Sequence, residues 1–332
     1  MEELSAVLLL QKLLDEAVEQ RCSDVHIYTA KDQLIVKFRK HGRLETFLQT
    51  EQIGAEVVRR VKALARMDVA ESRLPQDGAF RWESEIMQCD VRVSTLPTIH
   101  GEAVVMRLFP EQKGPLDFCS LGMNHKQCQI VTDVLNSSAG MVMVTGPTNS
   151  GKTTTLYAMM LHLARAGRKV VSIEDPVERP LEDCQQVQVR ETIGVTFDVG
   201  LRAVLRHDPD VIMIGEIRDD KTARAAVRAA LTGHLVLTTT HSNDAVGALI
   251  RLVEFGVARS FVADVVRGIV VQSFVDTGAD RGNQNQVTGD RAPEFEVVRI
   301  TPEVAQRLGS DAPWWSVRKA LSEHACNSEV RV

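Results

Sequence analysis

The chain has 332 residues, of which 44% are hydrophobic and 25% are charged, and its formal net charge is −5. These values are typical of a globular protein with room for two domains, and the acidic balance argues against a wholly basic nucleic-acid coat. No apolar run reaches the roughly 18 residues that a membrane helix needs, and acidic residues at the N-terminus argue against a secretory signal.

Hydrophobic spacing in the first third of the chain predicts an α+β domain. Apolar residues recur at helical spacing over 4–18 and again over 53–67. A hairpin with a glycine turn is predicted over 34–44. Further short strands are predicted near 79–82, 89–94 and 103–109. We therefore expect one α+β domain over residues 1–110.

A different pattern follows a stretch with proline and glycine, 111–119, which predicts a linker. Short apolar runs now alternate with helical stretches, and they lie at 141–144, 170–173, 211–214 and 235–237. Such strands indicate a parallel sheet that is buried on both faces. We expect this domain over 120–275 and a variable tail over 276–332, with a polar, mobile segment at 276–292.

A phosphate-binding loop is predicted between the first of these strands and a helix over 154–165. The stretch GPTNSGKT, which starts at Gly146, fits the pattern G-x-x-x-x-G-K-[ST] at every fixed position. In such loops backbone N–H groups surround phosphate oxygens, a lysine (here Lys152) reaches the β- and γ-phosphates, and the next hydroxyl (Thr153) coordinates Mg²⁺. The strand–loop–helix placement disfavours the alternative, a glycine-rich turn that binds nothing. The predicted nucleotide-binding residues are Gly146, Pro147, Thr148, Asn149, Ser150, Gly151, Lys152, Thr153 and Thr154.

Acidic clusters follow two of the other strands, at the edge where open α/β sheets bind ligands. Residues 174–178 read EDPVE, and Glu216 follows the strand at 211–214. Either cluster alone fits a solvated turn, but two beside a phosphate-binding loop predict groups for the metal and the attacking water. His234 and His241 bracket the next strand and project to opposite faces, so they are not expected to share a metal. A γ-phosphate sensor and a hydrogen-bonded structural histidine both fit them.

In their order and spacing, four stretches resemble the type II secretion and type IV pilus assembly ATPase superfamily. GPTNSGKTTTLY, IEDPVE, LRHDPDVIMIGEIRD and TGHLVLTTTH match its Walker A, Asp box, Walker B and His box. SDVHI, RLPQDG, DVRVSTLPTIHGE and VVMRL match its N-domain motifs. The resemblance covers about residues 10–275 and implies an α/β protein, in which an N-terminal α+β (PAS-like) domain is joined to a RecA-like P-loop ATPase domain with a mainly parallel sheet. The short N-terminus and the phrases LRHDPD and LVEFGV most resemble the competence branch, which builds a fibre for DNA uptake.

The resemblance implies roles for residues at matched positions. Glu178 would polarise the attacking water, and Glu216 would act with Mg²⁺ through a water molecule. The other catalytic residues it implies are Lys152, His234 and His241 in the site, Arg202 and Arg206 near the nucleotide, and Arg92, which would approach the phosphates across a subunit boundary. On the residues alone, a surface pair on a strand is the favoured interpretation of Arg92 and Arg107.

The resemblance further implies ATP and Mg²⁺ as ligands and a homo-hexamer at the cytoplasmic face of the plasma membrane. Its partner would be a polytopic inner-membrane platform protein, which moves pilins. No zinc is expected, because the six cysteines form no Cys-x-x-Cys pair and read as reduced thiols. No direct sequence-specific nucleic-acid binding is expected, because a basic track with aromatic residues is lacking.

Four departures from the family pattern bear on this expectation. Asn149 replaces a loop glycine, but asparagine tolerates left-handed backbone. Ala79 stands where an arginine is usual, which removes one candidate phosphate contact that Arg81 on the same strand face could replace. Ser273 also stands where an arginine is usual, and with the missing zinc element it puts the C-terminal region rather than the hydrolytic site in question. The rival functions are a general type II secretion or pilus retraction motor, a helicase or packaging ATPase, and a non-hydrolysing nucleotide-binding interaction protein.

Overall fold

The computed structural model describes residues 5–30, 33–40, 42–50, 54–84, 88–110, 116–276, 291–310 and 312–327. The chain divides into two compact units, Met1–Lys113 and Gly114–Val332. Most of the linker predicted over 111–119 lies outside the described residues, which resume at Leu116. Within these ranges no helix is both long enough and apolar enough to cross a membrane.

The first unit forms an antiparallel sheet and two helices, which confirms the predicted α+β class. Its elements are α1 (Ala6–Glu19), β1 (Asp24–Ala30), β2 (Gln33–Lys40), β3 (Arg43–Thr50), α2 (Gly54–Leu64), β4 (Gln76–Glu83), β5 (Gln88–Thr98) and β6 (Gly101–Pro110). The strand order is β3-β2-β1-β6-β5-β4. Strands β2 and β3 are the predicted hairpin, whereas the central strand β1 was not predicted.

The core of the first unit lies between its two helices and the sheet. Leu10, Leu13 and Leu14 recur at helical spacing on α1 and are at most 1% exposed. Val25 and Ile27 point from β1 into the same cluster, because alternate residues of a strand share a face. One apolar helix face and one apolar sheet face thus account for the layer structure of this unit.

The second unit is an α/β fold built on an eight-stranded sheet. Its elements are α3 (His125–Leu135), β7 (Gly140–Thr145), α4 (Lys152–Arg165), β8 (Val170–Glu174), β9 (Gln185–Gln188), α5 (Phe197–Val204), β10 (Val211–Ile214), α6 (Asp220–Leu231), β11 (Leu235–Thr240), α7 (Ala245–Glu254), α8 (Arg259–Val265), β12 (Val266–Asp276), β13 (Arg291–Arg299), α9 (Pro302–Gly309), α10 (Trp314–Glu323) and β14 (Ala325–Asn327). The strand order is β14-β13-β12-β7-β11-β10-β8-β9. All neighbours from β12 to β9 are parallel, which confirms the predicted mainly parallel sheet.

Both faces of this sheet are buried, as the continuous apolar runs predict. On β7, Met141 and Met143 belong to one buried cluster, and Val142 and Val144 belong to the other. The same alternation holds on β10 and β11, because successive side chains of a strand point to opposite faces. All six residues of β7 are buried, so the loop that follows it starts from a rigid base.

The described part of the predicted tail over 276–332 belongs to the second unit and is not a separate region. Strand β12 runs to Asp276, and β13 returns antiparallel beside it with Phe295 fully buried. Val304 on α9 and Val317 on α10 bury their side chains in the core of the second unit. Strand β13 was not predicted because four of its nine residues are charged and Pro293 lies within it. The mobile segment predicted at 276–292 lies mostly outside the described residues, which omit 277–290.

Candidate active site

The loop between β7 and α4 follows a path that side chains rarely allow. Gly146, Asn149 and Gly151 have φ angles of 151°, 63° and 85°, in the region that glycine, and to a lesser degree asparagine, adopts. A Cβ atom on Gly146 would lie 2.0 Å from the carbonyl oxygen of Gln272 on β12. The neighbouring strand therefore fixes the path of the loop and excludes a side chain at its first position.

Lys152 opens α4 and folds back over the loop. Its Nζ donates to the carbonyl oxygens of Gly146 at 3.1 Å and Pro147 at 2.7 Å. Burial lowers the pKa of Lys152, whereas the charges of Glu216 and Glu178 act to raise it. Both predicted acidic groups thus act on the same ammonium group.

Ser150 gives the loop an unused polar atom. Its Oγ is buried and has no hydrogen-bond partner in the part of the chain that the structure describes. Buried polar atoms are otherwise almost always paired. Thr153 and Thr154 follow, half-buried, in the first turn of α4. A phosphate at this helix N-terminus would meet backbone N–H groups, the Lys152 ammonium and the Ser150 hydroxyl.

A buried carboxylate, Glu174, organises the end of β8. Ser172 Oγ at 2.5 Å and Gln186 Nε2 at 3.0 Å donate to its Oε1, and the Tyr157 hydroxyl donates to its Oε2. The same hydroxyl accepts the backbone N–H of Glu178 at 3.1 Å. Burial and the Glu174 carboxylate raise the pKa of Tyr157, so the phenol stays protonated. Tyr157 therefore links α4 to the segment that carries Glu178.

The end of β10 carries a second charged cluster. Arg218 donates to Glu216 Oε1 at 2.5 Å and to Asp175 Oδ2 at 3.2 Å, and His241 Nε2 lies 3.4 Å from Glu216 Oε2. Burial alone would raise the pKa of Glu216, but the hydrogen bonds and charges of Arg218 and His241 lower it. The carboxyl ends of β8, β10 and β11 therefore meet in one cluster, as expected for a ligand site of an open α/β sheet.

Hydrogen bonds from neighbouring strands brace both flanks of the loop. Thr155 Oγ1 donates to Gln272 Oε1 at 2.7 Å, which ties α4 to β12. On the other side, the backbone N–H of Ser242 donates to Thr145 Oγ1 at 3.0 Å, which ties the end of β11 to the end of β7. The loop is thus anchored to the strands on either side of β7.

His234 is not brought to this cluster. It precedes β11 and therefore lies at the amino ends of the parallel strands, opposite the cluster. Its Nδ1 lies 3.1 Å from the carbonyl oxygen of Ala229. His241 follows the same strand, and an extended segment of this length spans roughly 20 Å. The structural alternative therefore fits His234, and the placement of His241 beside Glu216 fits a site residue.

Arg202 and Arg206 are exposed on the segment of α5. Arg202 forms an ion pair with Asp198, one turn earlier, at 2.7 Å. Arg206 donates to the carbonyl oxygen of Arg202 at 2.7 Å. These contacts stay within their own helical segment, so a role of both arginines near the nucleotide remains a prediction.

Arg92 belongs to the first unit. Its guanidinium lies over the Phe109 ring, 4.6 Å from the centroid, and its register partner on β6 is Arg107. Arg107 in turn donates to Asp24 at 2.9 Å. These contacts fit the surface pair, and an approach of Arg92 to the phosphates of another subunit remains a prediction.

Four residues that hold the loop or the acidic groups in place were not predicted as site residues: Tyr157, Glu174, Arg218 and Gln272. Glu174 and Arg218 lie inside the IEDPVE and GEIRD stretches, so the motifs themselves carried the signal. Tyr157 ends the GPTNSGKTTTLY stretch, but nothing in the sequence pairs it with Glu174. Groups of three or more histidine, cysteine or acidic side chains that could hold a metal ion are absent from the described ranges.

Sequence comparisons place the chain among bacterial secretion proteins. A family model described as "Type II/IV secretion system protein" matches residues 2–315. The type II secretion system protein E of Pseudomonas aeruginosa is 42% identical over 275 residues, which cover 82% of this chain and 55% of that protein. HxcR of the same organism, a type II secretion system protein, is 45% identical over 80% of this chain and 57% of its own length. The type II secretion system ATPase E of Vibrio cholerae is 42% identical over 83% of this chain and 55% of its own length.

The chain thus spans little more than half the length of these curated relatives. Among solved structures, the ATPase DotB of Legionella pneumophila has a TM-score of 0.78 at 21% identity, over 96% of this chain and 88% of that chain. This likeness concerns the fold alone. The pilus retraction motor PilT with bound ADP has a TM-score of 0.70 at 25% identity, over 94% of this chain and 87% of that chain.

Proposed function

Because the chain belongs to the type II/IV secretion system protein family, we propose that its second unit binds ATP and hydrolyses it to ADP and phosphate. The observation that carries the proposal is the convergence on Lys152. This lysine is buried and donates to the carbonyl oxygens of Gly146 and Pro147 in its loop. The negative charges of Glu178 and Glu216 both act to raise its pKa, so they favour its charged form. The names of two similar proteins, an ATPase of type II secretion and a motor with bound ADP, support the same activity.

Nucleotide binding uses groups that are already placed. Phosphate oxygens replace the two carbonyl oxygens as partners of Lys152 and supply a partner for Ser150. Backbone N–H groups at the start of α4 complete the phosphate site. The hydroxyl of Thr153 and the carboxylate of Glu216 are oxygen donors of the kind that Mg²⁺ prefers, so they would hold this ion, Glu216 through water. When bound, Mg²⁺ neutralises charge on the β- and γ-phosphates.

Hydrolysis requires a carboxylate that orients and polarises a water molecule, and we assign this role to Glu178. The hydrogen bond from its backbone N–H to Tyr157 fixes the position of this residue relative to α4. Glu216 would contribute one carboxylate oxygen to the ion through water, and its contacts with Arg218 and His241 orient this carboxylate. Arg218 and His241 therefore hold the carboxylates of Asp175 and Glu216 at the carboxyl ends of β8 and β10.

The wider function follows the family. We propose a homo-hexamer at the cytoplasmic face of the plasma membrane, in which Arg92 of one subunit approaches the phosphates bound by another. Its work drives a polytopic platform protein of a secretion machine. Because the curated relatives carry type II secretion names, we favour type II secretion over the competence fibre.

The test is ATP hydrolysis by the purified protein, measured by phosphate release beside three variants. Lys152→Ala is expected to lose nucleotide binding, and Glu178→Gln to keep binding but lose hydrolysis. Lys126→Ala is the matched control, because Lys126 is an exposed lysine near the start of another helix of the same unit, and it is expected to behave as wild type. A wild-type protein that binds ATP in the presence of Mg²⁺ but never hydrolyses it supports the non-hydrolysing alternative instead.

A further inference from the structure

Two cysteines at the start of the second unit lie in direct contact. The Sγ atoms of Cys119 and Cys128 are 3.2 Å apart. Cys119 is exposed, in the turn that precedes α3, and Cys128 is half-buried in the first turns of that helix. A disulfide needs the sulfurs at about 2.05 Å, so a movement of roughly 1 Å would bond them.

The surrounding contacts keep the two thiols together. Leu116, Phe118 and Met123 bury their side chains on either side of Cys119, which holds the turn against the core. Gln127, next to Cys128, donates to the carbonyl oxygens of Phe295 at 2.7 Å and Cys326 at 3.2 Å, which anchors α3 to β13 and β14. Because both segments are anchored independently, the approach of the sulfurs does not depend on the loop between them.

We propose that Cys119 and Cys128 form a thiol–disulfide modification site, which a peroxide oxidises and a thiol reductant restores. The Cys119 sulfur attacks a peroxide oxygen, the O–O bond breaks, and Cys119 becomes a sulfenic acid while hydroxide takes up a proton to leave as water. The Cys128 sulfur then attacks the Cys119 sulfur, the S–O bond breaks, and the Cys128 proton leaves with the hydroxide as a second water. Two thiols are oxidised, and one peroxide is reduced to two waters.

The two cysteines have different roles in this reaction. Burial, and next the hydrogen bond with Cys119, raises the pKa of the Cys128 thiol to about 12. Cys128 therefore stays protonated, and the exposed Cys119 is the sulfur that peroxide reaches first. Ordinary disulfides in reducing compartments are transient, which fits a reversible site rather than a structural bridge.

The sequence offers a direct assay, because Lys126 lies between the two cysteines. After mild treatment with hydrogen peroxide and trypsin digestion without reductant, the peptides 114–126 and 127–152 are expected as one linked species in mass spectrometry. Dithiothreitol is expected to separate them. Cys119→Ser is expected to abolish the linked species, and Cys184→Ser, a half-buried cysteine outside the pair, to retain it.

Two results overturn the proposal. One is over-oxidation of Cys119 to the sulfinic acid without any linked peptide in the wild-type protein. The other is a link between two copies of peptide 114–126, with a dimer on a non-reducing gel, because Cys119 would then bond to another chain in preference to Cys128. The peptide measurement uses the folded wild-type chain, so it does not depend on how the variants fold.

Discussion

Tyr157→Phe isolates the contribution of a single hydroxyl between the phosphate loop and the segment of Glu178. The ring of Tyr157 is 3% exposed, and phenylalanine fills the same space. The substitution removes the hydrogen bond to the buried Glu174 carboxylate and leaves the backbone N–H of Glu178 without this acceptor. Glu174 keeps its bonds from Ser172 and Gln186. A hydrogen bond to a charged group contributes about 1.5–3 kcal/mol, so we expect a loss of about 2–3 kcal/mol in the free energy of unfolding of the second unit.

The assay is urea unfolding followed by tryptophan fluorescence. Two of the three tryptophans, Trp314 and Trp315, lie on α10 of the second unit, so a Trp82→Phe background makes the signal specific for that unit. Tyr28→Phe is the matched control, because Tyr28 is the only other tyrosine of the chain and lies in the first unit. A change below about 0.5 kcal/mol for Tyr157→Phe, the size expected of a surface substitution, would refute the reasoning.

Three further outcomes follow from the geometry. Gly146→Ala is expected to lose ADP binding in calorimetry, because a Cβ there would meet a carbonyl oxygen at 2.0 Å, whereas Gly167→Ala, with nothing within 4 Å, should bind normally. His241→Ala is expected to lower kcat for ATP, and His234→Ala to leave it near wild type; equal losses would contradict the placement of His234. Arg218→Ala is expected to raise the pKa of the Glu216 carboxylate, because Arg218 lowers it in the wild type. A carboxylate whose pKa is lowered in the folded state stabilises the fold above its ordinary pKa of 4.5. The free energy of unfolding of wild type should therefore exceed that of Arg218→Ala most clearly above pH 4.5. In acid unfolding, this difference should shrink as the pH falls below 4.5.

The phosphate loop and the sheet around it could be predicted because their signals are local. The glycine and lysine positions of residues 146–153 are dictated by backbone contact with phosphate, and a strand buried on both faces reads as a continuous apolar run. The carboxylates of Glu178 and Glu216 follow such runs, so the sheet topology brings them to one edge. Sequence periodicity therefore suffices for the loop and for the edge on which the site lies.

The partners of these carboxylates could not be predicted, because they depend on contacts between elements that are far apart in the sequence. The bond of Tyr157 to Glu174 joins residues 17 positions apart, and that of Arg218 to Asp175 joins residues 43 positions apart. His234 shows a related limit. His234 precedes its strand and His241 follows it, so only His241 lies at the carboxyl end where the sheet binds ligands, whereas the family resemblance assigned both histidines to the site.

The C-terminal region was missed for a different reason. Strand β13 reads RAPEFEVVR, in which four of nine residues are charged and Pro293 disfavours a strand. Its partner β12 lies on the other side of residues 277–290. A strand of this kind resembles a polar tail when its partner is unknown. Its buried face, with Phe295 and Val297, becomes evident only when β12 lies beside it.

The central claim is that the second unit hydrolyses ATP in a site that assembly completes. The most direct test is the rate of phosphate release per subunit as the protein concentration rises, with Arg92→Ala and wild type measured over the same range. We predict a rate that increases with concentration for wild type and stays low for Arg92→Ala, although both proteins bind ATP. A rate per subunit that is the same at every concentration, and unchanged in Arg92→Ala, would contradict the account.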